Sequence, residues 1–302
     1  MKNKLKGSIS LLVATIIWGS AFVAQSVGMD YIGPFTFLAV RCALAVLFLI
    51  PLIFIFDIGK KDGMTYLSRW KNKKLWKTGI LCGVALFFGS GLQQIGLQYT
   101  DAGKAGFITA MYIVLVPVCG LFLKKKPPFS AVISVVIAVF GLYLLSCVGV
   151  TQVNVGDIWL MGCALAFAIQ ITLVDELAQE LDGLRLNCIQ TLVSCILGTV
   201  FMFLTEEPKV ENILPCWQSI CYAGILSSGV AFSLQIIGQK DLEPTAASLI
   251  MSMESVFAVI FGCLLLNEQL SPPEMSGCLL VFIAVILSQL PASIFKKKKH
   301  SC

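Results

Sequence analysis

Charge is scarce in this 302-residue chain: Asp, Glu, Lys and Arg together make up 13% of it. A water-soluble domain carries roughly a quarter, so the shortage excludes an ordinary cytosolic enzyme. Histidine is scarcer still, since the one His is His300, near the C-terminus. A zinc-protease pattern needs more than one, and no His-based metal or acid–base site can lie within a membrane here. The chain has no Gly-x-x-x-x-Gly-Lys-Ser/Thr loop, which argues against an ATP-driven pump. No pair of carboxylates falls within the apolar stretches to support aspartyl or glycosyl chemistry. The expectation is a non-enzyme with no catalytic residues, no cofactor, no metal and no nucleic-acid partner.

What is present is apolar sequence, at 57% of residues. Ten apolar runs can be read, at 8–28, 34–56, 75–97, 102–123, 128–148, 156–174, 184–204, 215–237, 244–266 and 274–294. Each is long enough to cross a hydrocarbon layer of about 30 Å as a helix, with 156–174 the shortest. Helices are required because lipid offers no partner to backbone N–H and C=O groups. The twelve Cys lie mostly in or beside these runs and read as small apolar packing residues rather than a disulfide framework. The fold class expected is an all-α polytopic membrane protein with ten transmembrane helices.

Lys and Arg set the orientation. With the N-terminus inside, nineteen of the 22 fall on inside segments; only Lys104 and Lys209 fall outside, and Arg41 sits within a run. Both termini are therefore expected in the cytoplasm, the C-terminal one carrying Lys296 to Lys299. The first run has a signal-peptide look, but the internal repeat needs it as a retained helix.

The repeat is visible at an offset of 141, where Trp76, Gly83, Gln94, Ile95 and Gln98 meet Trp217, Gly224, Gln235, Ile236 and Gln239. At an offset of 142, Ala105, Ile108, Met111 and Gly120 meet Ala247, Ile250, Met253 and Gly262. Five runs per half is an odd number, so the second copy enters the membrane upside down. Charge agrees, because the Lys124-Lys125-Lys126 loop corresponds to Asn267-Glu268-Gln269. Residues 1–150 and 151–302 are the expected pair of inverted five-helix repeats, an arrangement used for alternating access around a midplane site.

Trp18-Gly19-Ser20-Ala21-Phe22 followed by Arg41, the stretch Met111 to Pro117 with its triple Lys, and Glu254-Ser255-Val256-Phe257-Ala258 with Leu266-Asn267-Glu268 carry a resemblance. Over essentially its whole length the chain resembles an EamA-type permease of the drug/metabolite transporter superfamily. The resemblance implies a ten-helix fold of two inverted repeats that moves small metabolites or drugs, most often outward. One departure is Asn267, where such permeases usually have Gly before the acid.

Glu254 is the sharpest individual signal, lying about ten residues, or roughly 15 Å, into the ninth run. A carboxylate there faces protein or a water-filled cavity, as a proton-coupling group, a substrate-ammonium site or a paired structural acid. Arg41 is a candidate charge partner for it, or an anchor for a substrate carboxylate. Gln94 and Gln235, matched in the repeat, are candidates to hydrogen-bond a polar substrate. Trp18 and Tyr112 are candidate cavity walls, and Tyr112 is the repeat counterpart of Glu254. Pro117 is expected to kink its helix. Gly79-x-x-x-Gly83 is a close-packing pattern that fits a dimer face, a contact within the monomer or a gate.

The functional expectation is a secondary transporter in the inner or plasma membrane, a monomer or homodimer. It exports a small organic metabolite, an amino acid or related compound or a drug, with Glu254 available for proton coupling. Uptake is the alternative, followed by a membrane-embedded enzyme or a sensor.

Overall fold

The computed structural model describes residues 2–58, 64–146, 154–266 and 271–289. The repeat boundary, the Asn267–Gln269 loop and the C-terminal lysines with His300 lie outside these residues. Among the described residues the principal segments in chain order are Lys2–Met29, Pro34–Ile58, Lys73–Leu97, Ala102–Phe122, Phe129–Ser146, Val155–Leu177, Gly183–Thr205, Val210–Gln239, Pro244–Leu265 and Pro272–Gln289. They are called the first to the tenth segment below.

Eight of them are helical stretches long and apolar enough to cross a membrane. The apolar cores of the fifth and tenth, Phe129–Leu144 and Pro272–Ser288, are shorter. The sixth, read from sequence as the shortest run, is a full 23-residue helix. Most of its extra length lies at its end, where it runs on through Asp175 and Glu176 to Leu177, while Asn154 and Asp157 form a capping box at its start. Other starts are capped in the same spirit. Asn72 accepts from Lys74 N and Leu75 N, and Asp182 from Leu184 N and Arg185 N. The second helix borrows its cap from another segment: Glu206 accepts from Phe35 N at 2.7 Å and Thr36 N at 2.8 Å. A carboxylate on these free N–H groups is also favoured by the helix dipole.

Polarity is distributed as in a membrane bundle. Phe203 and Leu264 are each 69% exposed, whereas Arg41, Gln94, Gln170, Asn187, Gln190 and Gln235 are buried. Apolar atoms outside and hydrogen-bonded polar atoms inside suit a lipid solvent.

The packing follows a pattern. The third segment lies against the sixth and seventh, and the eighth against the first and second. The second lies against the seventh, the fifth against the tenth, the fourth against the sixth and the ninth against the first. Advancing every segment number by five carries this set of neighbours onto itself. Glycines make two of the closest crossings. A Cβ on Gly7 would stand 2.7 Å from Gly238 O, and one on Gly238 would stand 2.9 Å from Gly7 O. Gly156 and Gly96 repeat this reciprocal contact in the sixth and third segments, at 2.8 and 3.2 Å. Gly83 and Gly224 are equally matched, one pressed on Gln190 O and the other on Arg41 O. Gly79 meets Ile189, so the Gly79-x-x-x-Gly83 face is a contact within the chain.

Gly238→Leu is therefore expected to force the first and eighth segments apart, at a cost of about 1–3 kcal/mol. Thermal unfolding of the detergent-purified protein checks it. Gly103→Ala, whose added carbon has nothing nearer than 3.9 Å, serves as the unaffected control.

Pro117 does not interrupt its helix, which runs unbroken over Tyr112–Phe122. The interruption falls earlier, at Met111, and is central to the site.

Candidate functional site

Two segments are broken at corresponding points. The fourth consists of Ala102–Ala110 and Tyr112–Phe122, and the ninth of Pro244–Met251 and Glu254–Leu266. At each break the backbone tightens to i→i+3 bonds: Met111 N to Ile108 O and Val114 N to Met111 O in the fourth, Met253 N to Ile250 O and Ser255 N to Ser252 O in the ninth. Tyr112 and Glu254 are the first residues after the breaks. The Tyr112 hydroxyl donates to Glu254 Oε1 at 3.0 Å. Glu254 thus sits at a half-helix N-terminus, where the backbone dipole favours negative charge. Ser255 Oγ fastens the two segments by donating to Gly106 O at 2.7 Å.

A small, partly open cavity surrounds this pair. Trp18, Tyr112, Gln235, Glu254 and Arg41 all line it, so most residues singled out from the sequence converge here. Gln94 does not. Its amide donates to Met29 Sδ at 3.3 Å, and the neighbouring Gln93 takes the cavity-facing position. The cause is a change of register in the matched segment. The eighth segment is a π-helix over Tyr222–Ala231, whose wider turns rotate everything after them. Gln235 is swung toward the cavity, while the regular third helix leaves Gln94 turned away.

Arg41 and Glu254 share the cavity without an ion pair. Arg41 Nη1 donates to Gln25 Oε1, and its guanidinium lies 5.8 Å over the Phe37 ring. Among the described residues no carboxylate pairs with it, and its Nε has no partner. Two further buried polar atoms on the lining lack partners, Trp18 Nε1 and Gln235 Oε1. Aromatic surface completes the wall, with the Trp18 and Phe232 rings 5.0 Å apart.

From Gln235 an amide network that sequence reading did not single out leads away from the cavity. Gln235 Nε2 donates to Gln170 Oε1 at 3.0 Å, Gln170 to Gln190 at 3.2 Å, and Gln190 to Asn187 at 3.0 Å. Asn187 Nδ2 in turn donates to Ser228 O and Gly229 O, both 3.0 Å, which are carbonyls of the π-helix. The available signal was an amide inside an apolar run.

Beyond the network lies a charged cluster that the sequence did not single out. Arg185, only 1% exposed, pairs with Asp57 and Asp182 and lies over the Tyr66 and Trp70 rings. Arg41 is thus not alone as a buried base. Nearby, Lys125 bonds Glu176 and Asp175, which raises its ammonium above the usual lysine value. Burial pulls Lys240 the other way, and it donates to Leu181 O. At the opposite end Lys104 bonds Asp157 at 2.6 Å, and Ser20 bonds Tyr222.

Helices of membrane-spanning length packed around a polar, partly unsatisfied cavity define a polytopic membrane protein. The EamA-like transporter family matches twice, over residues 5–147 and 154–290, and the chain belongs to that family. It is 31% identical over 292 residues to an uncharacterized transporter of Archaeoglobus fulgidus, covering 95% of this chain and 87% of that one. It is 25% identical to the uncharacterized transporter YoaV of Bacillus subtilis, covering 94% and 97%. A WAT1-related chloroplastic protein of Arabidopsis thaliana is 24% identical, covering 93% and 69%. A solved crystal structure shares the fold, with a TM-score of 0.79 at 16% identity, over 96% of this chain and 99% of that chain. The protein is a multi-pass membrane transporter.

Proposed function

We propose that this transporter exports a small organic metabolite, an amino acid, a related compound or a drug, by alternating access across the cytoplasmic membrane. Two inverted five-helix repeats, residues 1–150 and 151–302, move against each other around the cavity, with both termini in the cytoplasm. The observation that carries the reading is the Tyr112–Glu254 hydrogen bond. It joins the same position of two matched, broken segments halfway along their length. Discontinuous helices whose ends meet at the repeat interface are the usual substrate and coupling site of secondary transporters.

Support for the repeats comes from the double family match and from the reciprocal glycine crossings of each half. Support for the orientation comes from the bias of Lys and Arg to alternate loops. Glu254 exchanges a proton for a substrate group: protonated, it keeps only its bond with Tyr112; ionised, it binds a cationic or hydrogen-donating group. Export then runs against an inward proton movement.

The test compares metabolites inside and outside cells that overproduce the protein with cells carrying an empty vector. A compound that accumulates outside, chemically unchanged, is the expected outcome. Depletion of a compound from the medium would reverse the direction of transport, and a chemically altered product would replace transport with catalysis.

A further inference from the structure

The cavity is lined by two charged side chains, one of each sign, that do not pair with each other. Arg41 is 3% exposed, on the second segment, and its Nη1 contact is a neutral amide, Gln25. Its Nε is a buried donor with no acceptor. A guanidinium held this way in a membrane interior is costly unless an anion completes it, and its planar fork matches a carboxylate. On the ninth segment Glu254 uses one oxygen to accept from Tyr112, and on the eighth Gln235 holds Oε1 as a buried acceptor with no donor. The cavity therefore presents an unsatisfied donor on one wall and unsatisfied acceptor capacity on another.

We propose that the transported ligand is a zwitterion, its carboxylate bound by Arg41, its ammonium bound by Glu254 and Gln235, and an apolar side chain against the aromatic wall. The proposal rests on the cavity being the transport site. Charge balance selects this class. A zwitterion has no net charge, pairs both buried groups and leaves neither alone. A simple amine would leave Arg41 without an anion, and a simple acid would leave Glu254 without a cation. Phe22, Phe232 and Met251 on the lining supply the apolar contact for the ligand's side chain.

Arg41 is accordingly a specificity-determining residue rather than a structural partner of Glu254. The test uses full-length protein purified in detergent and titrated calorimetrically. The probes are the twenty standard amino acids, with β-alanine and γ-aminobutyrate as longer zwitterions. For the tightest apolar one, the matching amide (no carboxylate) and the matching deaminated acid (no ammonium) follow. The amide and the acid are each expected to bind at least tenfold more weakly than the zwitterion. Arg41→Gln removes the preference for amino acid over amide. Arg41→Lys, which keeps the charge but not the planar fork, retains part of it, which separates a lost anchor from a misfolded protein. An amide that binds as tightly as its amino acid overturns the proposal, as does failure of every zwitterion to bind. Export of a non-zwitterionic compound by cells would also overturn it while leaving the transport reading intact. The absence of any export, beside a clear zwitterion preference in vitro, would do the reverse.

Discussion

Glu254→Gln lowers export at least about tenfold while the protein remains folded and in the membrane. The substitution keeps the size of the side chain and an oxygen to accept from the Tyr112 hydroxyl. What it removes is the negative charge on a buried, cavity-lining residue. A charge-assisted hydrogen bond in such a place is worth about 1.5–3 kcal/mol, or roughly ten- to a hundredfold in binding. Tyr112→Phe provides the scale. It deletes one neutral donor, worth about 1 kcal/mol, so its export falls only several-fold. Initial efflux rates from substrate-loaded cells, normalised to protein in the membrane, measure both. Equal rates for Glu254→Gln and the unmodified protein would return this carboxylate to a purely structural role.

The largest expected loss of stability lies at the other end of the amide network. Arg185 pairs with Asp57, which is itself nearly buried, and stacks on Tyr66 and Trp70. It also pairs with Asp182 at 2.9 Å, the residue that caps its own helix. Arg185→Ala strips the main cation from Asp57 and leaves a cavity beneath two aromatic rings. Breaking a buried pair from one side costs about 3–5 kcal/mol, because the remaining charge stays desolvated. Arg69, 3.8 Å from Asp57, offsets part of that loss, so about 3 kcal/mol is expected. Thermal unfolding in detergent reads it as a large drop in melting temperature. Combining Arg185→Met with Asp57→Asn removes both charges and recovers much of the loss, which a pure volume effect would not do. A change within about 0.5 kcal/mol for Arg185→Ala would show that the pair contributes little.

The apolar runs made the segments legible, because a lipid-crossing helix must be both long and apolar. Boundaries moved where a helix ran on past the last apolar residue into charged ones, as the sixth does through Asp175 and Glu176. The site was legible wherever a polar residue stood out against an apolar background: Glu254, Arg41 and Gln235 line one cavity. Gln94 was misplaced because matching by offset assumes both helices keep the same turn, and the π-helix at Tyr222–Ala231 breaks that assumption. No glycine or proline marks the breaks before Tyr112 and Glu254, whereas Pro117 sits in unbroken helix. Arg185 was hidden by its position. A base beside a loop reads as a topology signal until Asp57 and two aromatic rings are seen around it.

In the proposed cycle an exported substrate and a proton compete for Glu254 within this cavity. Purified protein is reconstituted in proteoliposomes loaded with the compound that cells export, and a pH gradient is imposed across the membrane. The gradient is expected to drive accumulation of that compound by the unmodified protein, whereas Glu254→Gln still exchanges it but no longer responds to the gradient. Equal responses to the gradient in both proteins would contradict this cycle.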